Sequence, residues 1–172
     1  TKQDRFKYNG IGFLRNAIQC YSEKELNGAW ELSITYPITN RDEMWKHLKP
    51  WNIIKNTKGQ LFVIYKVEKS LANSVMSISA KARHMFYYLN DKVVYNAVAE
   101  NFNGYYALAH IMGNADFTHE NGLTDYEFSY NSDIEITKNI NYSDVSVTYA
   151  LLGAPDSVVN LYGGELYRDN FY

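Results

Sequence analysis

The side chains in this 172-residue chain that could carry acid–base, nucleophilic or metal chemistry are four histidines, one cysteine and some neighbouring carboxylates. His47, His84, His110 and His119 never stand at the i, i+4 spacing of a helical zinc pair, and a metal site needs three or four converging ligands. Each is therefore read as structural. His84 follows Arg83 where a strand pattern gives way to a helix pattern, so its imidazole is placed to pin that junction. A catalytic role would need a nucleophile or carboxylate partner beside it. Cys20, in the run AIQCYSE, has no cation nearby to lower its pKa and reads as a small buried hydrophobe. Gly10-Ile11-Gly12 lacks the third glycine and the following helix of a dinucleotide site and reads as a turn. Asp42 and Glu43 suit a helix N-terminus, and Asp133 and Glu135 share one face of a strand as any i, i+2 pair does. Neither pair has the separation signature of a glycosidase. No catalytic residue, metal ligand or cofactor-binding residue is assigned, and no cofactor is expected.

The elements that would position these groups begin with WELSITYPI. Trp30, Leu32, Ile34 and Tyr36 fall on one face of a half-buried strand that Pro37 ends, and Leu26-Asn27-Gly28 before it is a turn signal. Ile11 to Arg15 reads as an earlier, weaker strand. Thr39 to Trp51 reads as one short helix or turn ended by Pro50. LFVIYKVEKS and VMSISAKAR, separated by Leu71-Ala72-Asn73-Ser74, form a predicted hairpin, with Met76, Ile78, Ala80 and Ala82 on its apolar face. The pattern changes at Arg83. HMFYYLNDKV and Tyr95 to Met112 predict two helices, with a core of Phe86, Leu89, Val98, Phe102, Tyr106, Leu108 and Met112. Short strands are expected at YEFSY and DIEIT, and a last helix is expected after Ser143-Asp144 through Gly153. The ending SVVNLYGGELYRDNFY reads as strand, turn, strand, and a stop within a strand points to a fragment of a longer polypeptide.

These elements predict an α+β fold: an antiparallel β-barrel-like domain from 1–82 and 153–172, with an inserted helix-containing α+β domain at 83–152. A hydrophobic fraction of 46% and a charged fraction of 21% supply an ordinary globular core. The 17 basic and 19 acidic residues give a net charge of −2, which disfavours a nucleic-acid partner. No apolar run approaches the roughly 20 residues of a membrane span. The aromatic content of 16%, with 16 tyrosines, suits half-buried sheets and protein interfaces.

Three runs carry a resemblance. Leu26-Asn27-Gly28-Ala29-Trp30-Glu31-Leu32-Ser33-Ile34-Thr35-Tyr36-Pro37 is similar to the LNGxxELxxxYP stretch of the tail-tip hub proteins of siphophages and prophages, also called tail-associated lysin or prophage endopeptidase tail proteins. Gln60 to Val67, followed by Ala82-Arg83-His84-Met85-Phe86-Tyr87-Tyr88-Leu89, resembles the family's QxFxIYxV…ARHxxYDL signature. Tyr88 stands where the family often has Asp. Ser132-Asp133-Ile134, Ala150-Leu151-Leu152-Gly153 and Gly163 to Phe171 resemble its SDI…ALLG…GGELxRDNF run.

The resemblance spans about Leu26 to Phe171. It implies the N-terminal structural module of a baseplate hub in the virion tail, trimeric in the full-length protein, which docks on the distal tail protein and other tail-tip subunits and helps close the tail tube. It also implies that any lytic or fibre domain lies further toward the C-terminus. Two other classes follow less directly: a tail-associated peptidoglycan hydrolase, and a glycan-binding module that would use Trp45, Trp51 and exposed tyrosines as stacking platforms.

Overall fold

The computed structural model describes residues 6–8, 10–72, 74–117 and 126–172. The chain divides into two compact units, Gln3–Met85 and Phe86–Tyr172. Residues 153–172, read above with the first sheet, belong to the second unit, and the final strand expected there is not formed.

The first unit is one antiparallel sheet of β1 (Gln19–Lys24), β2 (Trp30–Pro37), β3 (Ile53–Lys55), β4 (Leu61–Ala72) and β5 (Val75–His84), in the order β1-β2-β5-β4-β3. The alternation expected of β2 is observed, with Trp30, Leu32, Ile34 and Tyr36 buried and the residues between them half-buried. Ile78, Ala80, Ala82 and His84 line the same side of β5, and the hairpin pairs Ala72 with Val75. Near the hairpin tip Leu71, Val75 and Met76 are exposed, because neither neighbouring strand reaches that far. The helix expected between Thr39 and Trp51 is a single 3-10 turn, Met44–His47.

The first strand lies at Gln19–Lys24 rather than Ile11–Arg15. It sits at the edge of the sheet with all six residues exposed, so it has no buried face to leave an alternating pattern. The turn into β2 was legible: Asn27 adopts φ 48°, and the Glu25 N–H donates to the Ala29 carbonyl at 2.8 Å. Gly28 is required by close approach, since a Cβ there would stand 2.9 Å from the Glu25 Cβ.

The sheet curls but stays open, a half-barrel in place of the expected barrel-like closure. One cause lies in β4. Ile64 pairs with Ala82 but Lys66 with Lys81, so Tyr65 is an extra residue, and such a bulge raises the local twist. It also reverses the parity of β4: beyond it, Val67, Lys69 and Leu71 pair with Ala80, Ile78 and Met76 on the core side. Closure would need the outer strands to pair, and β3 is only three residues long.

The second unit holds two small sheets, β6 (Val93–Val94) with β9 (Val145–Ser146) and β7 (Ala97–Phe102) with β8 (Lys138–Tyr142), around α1 (Gly104–Gly113) and α2 (Val158–Tyr162). A 3-10 helix at Met85–Asp91 and a π-helical turn at Tyr149–Gly153 complete it. The helix expected from Tyr95 to Met112 is therefore half strand. Asn101 at φ 57° lies in the register irregularity between Ala99 and Phe102 near the strand's end, and the Asn103 carboxamide accepts the Tyr106 N–H at 3.0 Å to cap α1. A helix entered at Asn103 puts Val98 and Tyr106 in solvent and leaves Phe102 and Met112 half-buried. Of the expected core, Phe86, Leu89 and Leu108 are buried, and they pack with Ala107, Ile111, Ile140, Val147 and Ala150.

YEFSY and DIEIT are not strands. Their alternation is explained by packing without a ladder, since Phe128, Tyr130 and Ile134 rest on the core while their neighbours face water. Gly104 holds this segment: its N–H donates to the Ile134 carbonyl at 3.0 Å, and a Cβ would lie 3.0 Å from the Ile134 Cβ. The helix expected after Ser143-Asp144 begins as β9, with Asp144 at φ 55° in the turn from β8.

Two tyrosines tie these elements together. The Tyr142 hydroxyl donates to the Asp156 carbonyl at 2.6 Å and the Tyr162 hydroxyl to the Phe102 carbonyl at 2.7 Å. Burial first, then the Asp156 charge, holds the Tyr142 phenol well above its usual range. A folded-state pKa above the unfolded value contributes stability that is whole below the unfolded pKa of about 10 and is lost as pH rises beyond it. Thermal stability should thus be flat to about pH 9 and fall above about pH 10, with Tyr142→Phe flattening the fall. Melting temperature by circular dichroism across that range checks this; an identical alkaline decline in the variant would count against it.

Candidate functional site

Within each unit, and among the described residues, none of the groups singled out for chemistry converge. His84 is 1% exposed, with its ring stacked on Trp30 at 4.0 Å and edge-on to Phe62 at 5.5 Å, and its Nε2 lies 2.9 Å from the Gln60 Oε1. Lys24 covers the Trp30 indole at 4.4 Å. His84, expected to pin the junction of strand and helix, makes these contacts with Trp30, Phe62 and Gln60 of the sheet unit. His47 is exposed at the end of its 3-10 turn, and His110 packs edge-on against Phe102 at 5.4 Å. His119 lies outside the described residues.

Cys20, expected to be buried, is exposed on β1 because it belongs to the edge strand. Desolvation against the sheet nevertheless pushes its thiol up, the opposite of what a nucleophile requires. Asp42 is held below the ordinary carboxylate value, chiefly by the Tyr36 hydroxyl donating to it. It also accepts from the Met44 N–H at 3.0 Å and from Asn16 Nδ2 at 2.6 Å. A carboxylate so fixed ties the loop to the sheet and cannot serve as a general acid. Glu43 is paired with Lys46 at 2.5 Å. Asp133 and Glu135 are both exposed, on a segment that is not a strand. Among the described residues, no group of three or more His, Cys, Asp or Glu could hold a metal ion.

The motif residues are used structurally. On the outer face of the sheet, Arg83 Nε lies 3.3 Å from Glu31 Oε1, to which the bulged Tyr65 hydroxyl donates at 3.2 Å. The Arg83 guanidinium sits 4.4 Å above the Tyr65 ring. Arg168 of the GGELYRDNF run is 1% exposed; it donates to the Tyr87 hydroxyl at 2.9 Å and lies 5.5 Å over Phe86. That run is thus an irregular segment anchored by a buried arginine, and Ser129 N–H donates to the Phe171 carbonyl beside it. Tyr88 packs edge-on to Tyr126 at 5.1 Å under Lys92, so its neighbourhood is aromatic. Of the two tryptophans considered for stacking, Trp51 is 79% exposed, while Trp45 donates its Nε1–H to the Thr39 carbonyl and carries Lys69 over its ring.

What the surface offers is therefore edges and faces. The open edge of β1 went unread because its sequence does not alternate, although the Leu26-Asn27-Gly28 turn required a strand on either side.

Comparison with known proteins gives the same direction. Residues 3–84 match the family described as the prophage endopeptidase tail N-terminal domain, a stretch that coincides with the first unit. The fold is similar to the crystal structure of prophage tail protein gp18 from Listeria monocytogenes EGD-e, with a TM-score of 0.61 and 21% identity. The match covers 92% of this chain and 43% of that one, so the chain spans less than half the length of the protein it resembles. No curated protein matches the chain. Over residues 3–84 the similarity is to a prophage endopeptidase tail domain, and it is distant.

Proposed function

We propose that this chain is a structural module of a bacteriophage or prophage tail tip, acting as part of a baseplate hub that docks on the distal tail protein and helps close the tail tube. The observation that carries the reading is the family match over residues 3–84, the whole of the sheet unit. The structural uses of His84 and Asp42 support it, since these candidates for chemistry are spent on holding elements together. In the full-length protein the module sits in a homotrimer within the virion tail, beside other tail-tip subunits. No helix of the described residues is long and apolar enough to cross a membrane.

The word endopeptidase in the matching family's description is the support for a hydrolytic reading, and the two differ in outcome. The purified chain should leave bacterial cell walls intact in zymography, and should bind the distal tail protein of the same phage in light scattering or pull-down. Wall clearing lost on changing Cys20, His84 or Asp133 would move the assignment to a tail peptidase.

A further inference from the structure

The turn that leads into β3 holds a residue that such a turn disfavours. The Asn52 N–H donates to the Lys49 carbonyl at 3.1 Å across Pro50 and Trp51, and Trp51 has φ 71°. A proline followed by a positive φ is the pattern of a type II turn, whose third position ordinarily takes Gly or Asn. A bulky side chain there is strained, and such strain persists only where the surroundings hold it. Here the Trp51 N–H donates to the Ile64 carbonyl at 2.8 Å, and the Ile64 N–H to the Asn52 carbonyl at 2.9 Å. The Asn52 carboxamide donates to the His47 carbonyl at 2.8 Å. The ring returns nothing to the fold: it is 79% exposed, and among the described residues the indole has no hydrogen bond and no ring or cation contact.

The surroundings add charge of one sign. From Met44 to Val67 the sequence has Lys46, Lys49, Lys55, Lys58 and Lys66 and no Asp or Glu, in a chain of net charge −2. All five are exposed. Lys46 and Lys66 pair with Glu43 and Glu68 at the two ends of the stretch, while Lys49, Lys55 and Lys58 meet no carboxylate among the described residues. Lys49 opens the Trp51 turn, Lys55 ends β3, and β3 is the outermost strand on its side of the sheet. Tyr65, next to Ile64, is also exposed, with Arg83 over its ring.

Resting on the tail reading, we propose that Trp51 is the anchor of a docking surface whose occupant is an acidic face of the distal tail protein. Trp, Tyr and Arg are the side chains that carry most of the binding energy at protein interfaces. A single protruding indole on a fixed backbone fits a socket in a partner, and a rigid anchor loses little conformational freedom on binding. Lysines without carboxylate partners select a face of opposite charge and speed the encounter with it. A glycan chain is gripped by rings that serve successive sugars, and the other tryptophan of this stretch, Trp45, lies under Lys46 and Lys69.

Trp51→Gly separates docking from folding, because the turn and the docking surface make opposite demands on this position. Glycine adopts a positive φ without strain, so the variant should melt at or above the parent temperature. Its affinity for the distal tail protein of the same phage should fall about thirtyfold or more in titration calorimetry. Lys49→Glu should slow association about threefold or more at low salt, and added salt should shrink the difference. Tyr106→Ala, at an exposed ring of the second unit, should leave both affinity and association rate unchanged. A parent chain that does not bind the distal tail protein overturns the tail reading together with this proposal. A parent that binds while Trp51→Gly binds equally well overturns this proposal alone. A lower melting temperature for Trp51→Gly would make the ring structural and overturn it too. The same holds for Trp51-dependent binding of soluble peptidoglycan fragments in place of the protein, or for a self-associated parent that Trp51→Gly disperses.

Discussion

Phe62→Ala is expected to lower the unfolding free energy of the first unit by about 3 to 5 kcal/mol, the range for emptying a fully enclosed aromatic site. The Phe62 ring has no exposed surface and meets Trp30 edge-on at 5.9 Å and His84 at 5.5 Å. Those two rings are stacked on each other, and the imidazole is fixed through Gln60, so the walls of the cavity are poorly placed to collapse into it. Trp30, Trp45 and Trp51 all lie in the first unit, so tryptophan fluorescence during urea unfolding reports that unit alone. A change below about 1 kcal/mol at unaltered slope would show that the ring does not hold the sheet's core.

In the second unit the largest effect is expected at Ile111 rather than at Phe102. Ile111 is fully buried on α1, and Ile111→Ala should cost about 2 to 5 kcal/mol. Phe102 is half-buried at the end of β7, with His110 and Tyr106 against its ring, and Phe102→Ala should cost only about 1 to 2 kcal/mol because part of the ring is already in water. Amide exchange of the α1 backbone separates the two, since global opening of this unit sets its slowest protons. A Phe102→Ala penalty equal to or above that of Ile111→Ala would reverse the assignment of the core.

Legibility in the sequence followed burial. β2, β4 and β5 were readable because one face of each is buried, which makes every second residue apolar. β1 was not, since an exposed edge imposes no such constraint on Gln19–Lys24. The Tyr65 bulge was hidden for a different reason: a parity change in a strand that becomes solvent-exposed leaves too few buried residues to mark it. In the second unit, Val98, Phe102 and Tyr106 mimic a helical face across what is a strand, a bend at Asn101 and a capped helix start. Propensity at Asn103 decided the true helix, and spacing alone had pointed upstream. At the candidate site, a structural role for His84 and Asp42 was legible, but the partners that define it, Trp30 and Gln60 for one and Tyr36 and Asn16 for the other, are distant in sequence, as Tyr87 is from Arg168.

The continuity of the first unit bears on how the protein is made. Gln3–Met85 is one unbroken stretch and holds every strand of its sheet, so nothing synthesised after Met85 is needed to complete it. On the ribosome the sheet can close through β5 while Phe86 and later residues are still being added, and domains generally fold as such units during synthesis. Had the last twenty or so residues been required, β2 and β5 would have waited for the end of translation with apolar faces uncovered. The order of the units along the chain therefore gives the nascent protein a vectorial route on which the aggregation-prone strands are the first to be sheltered.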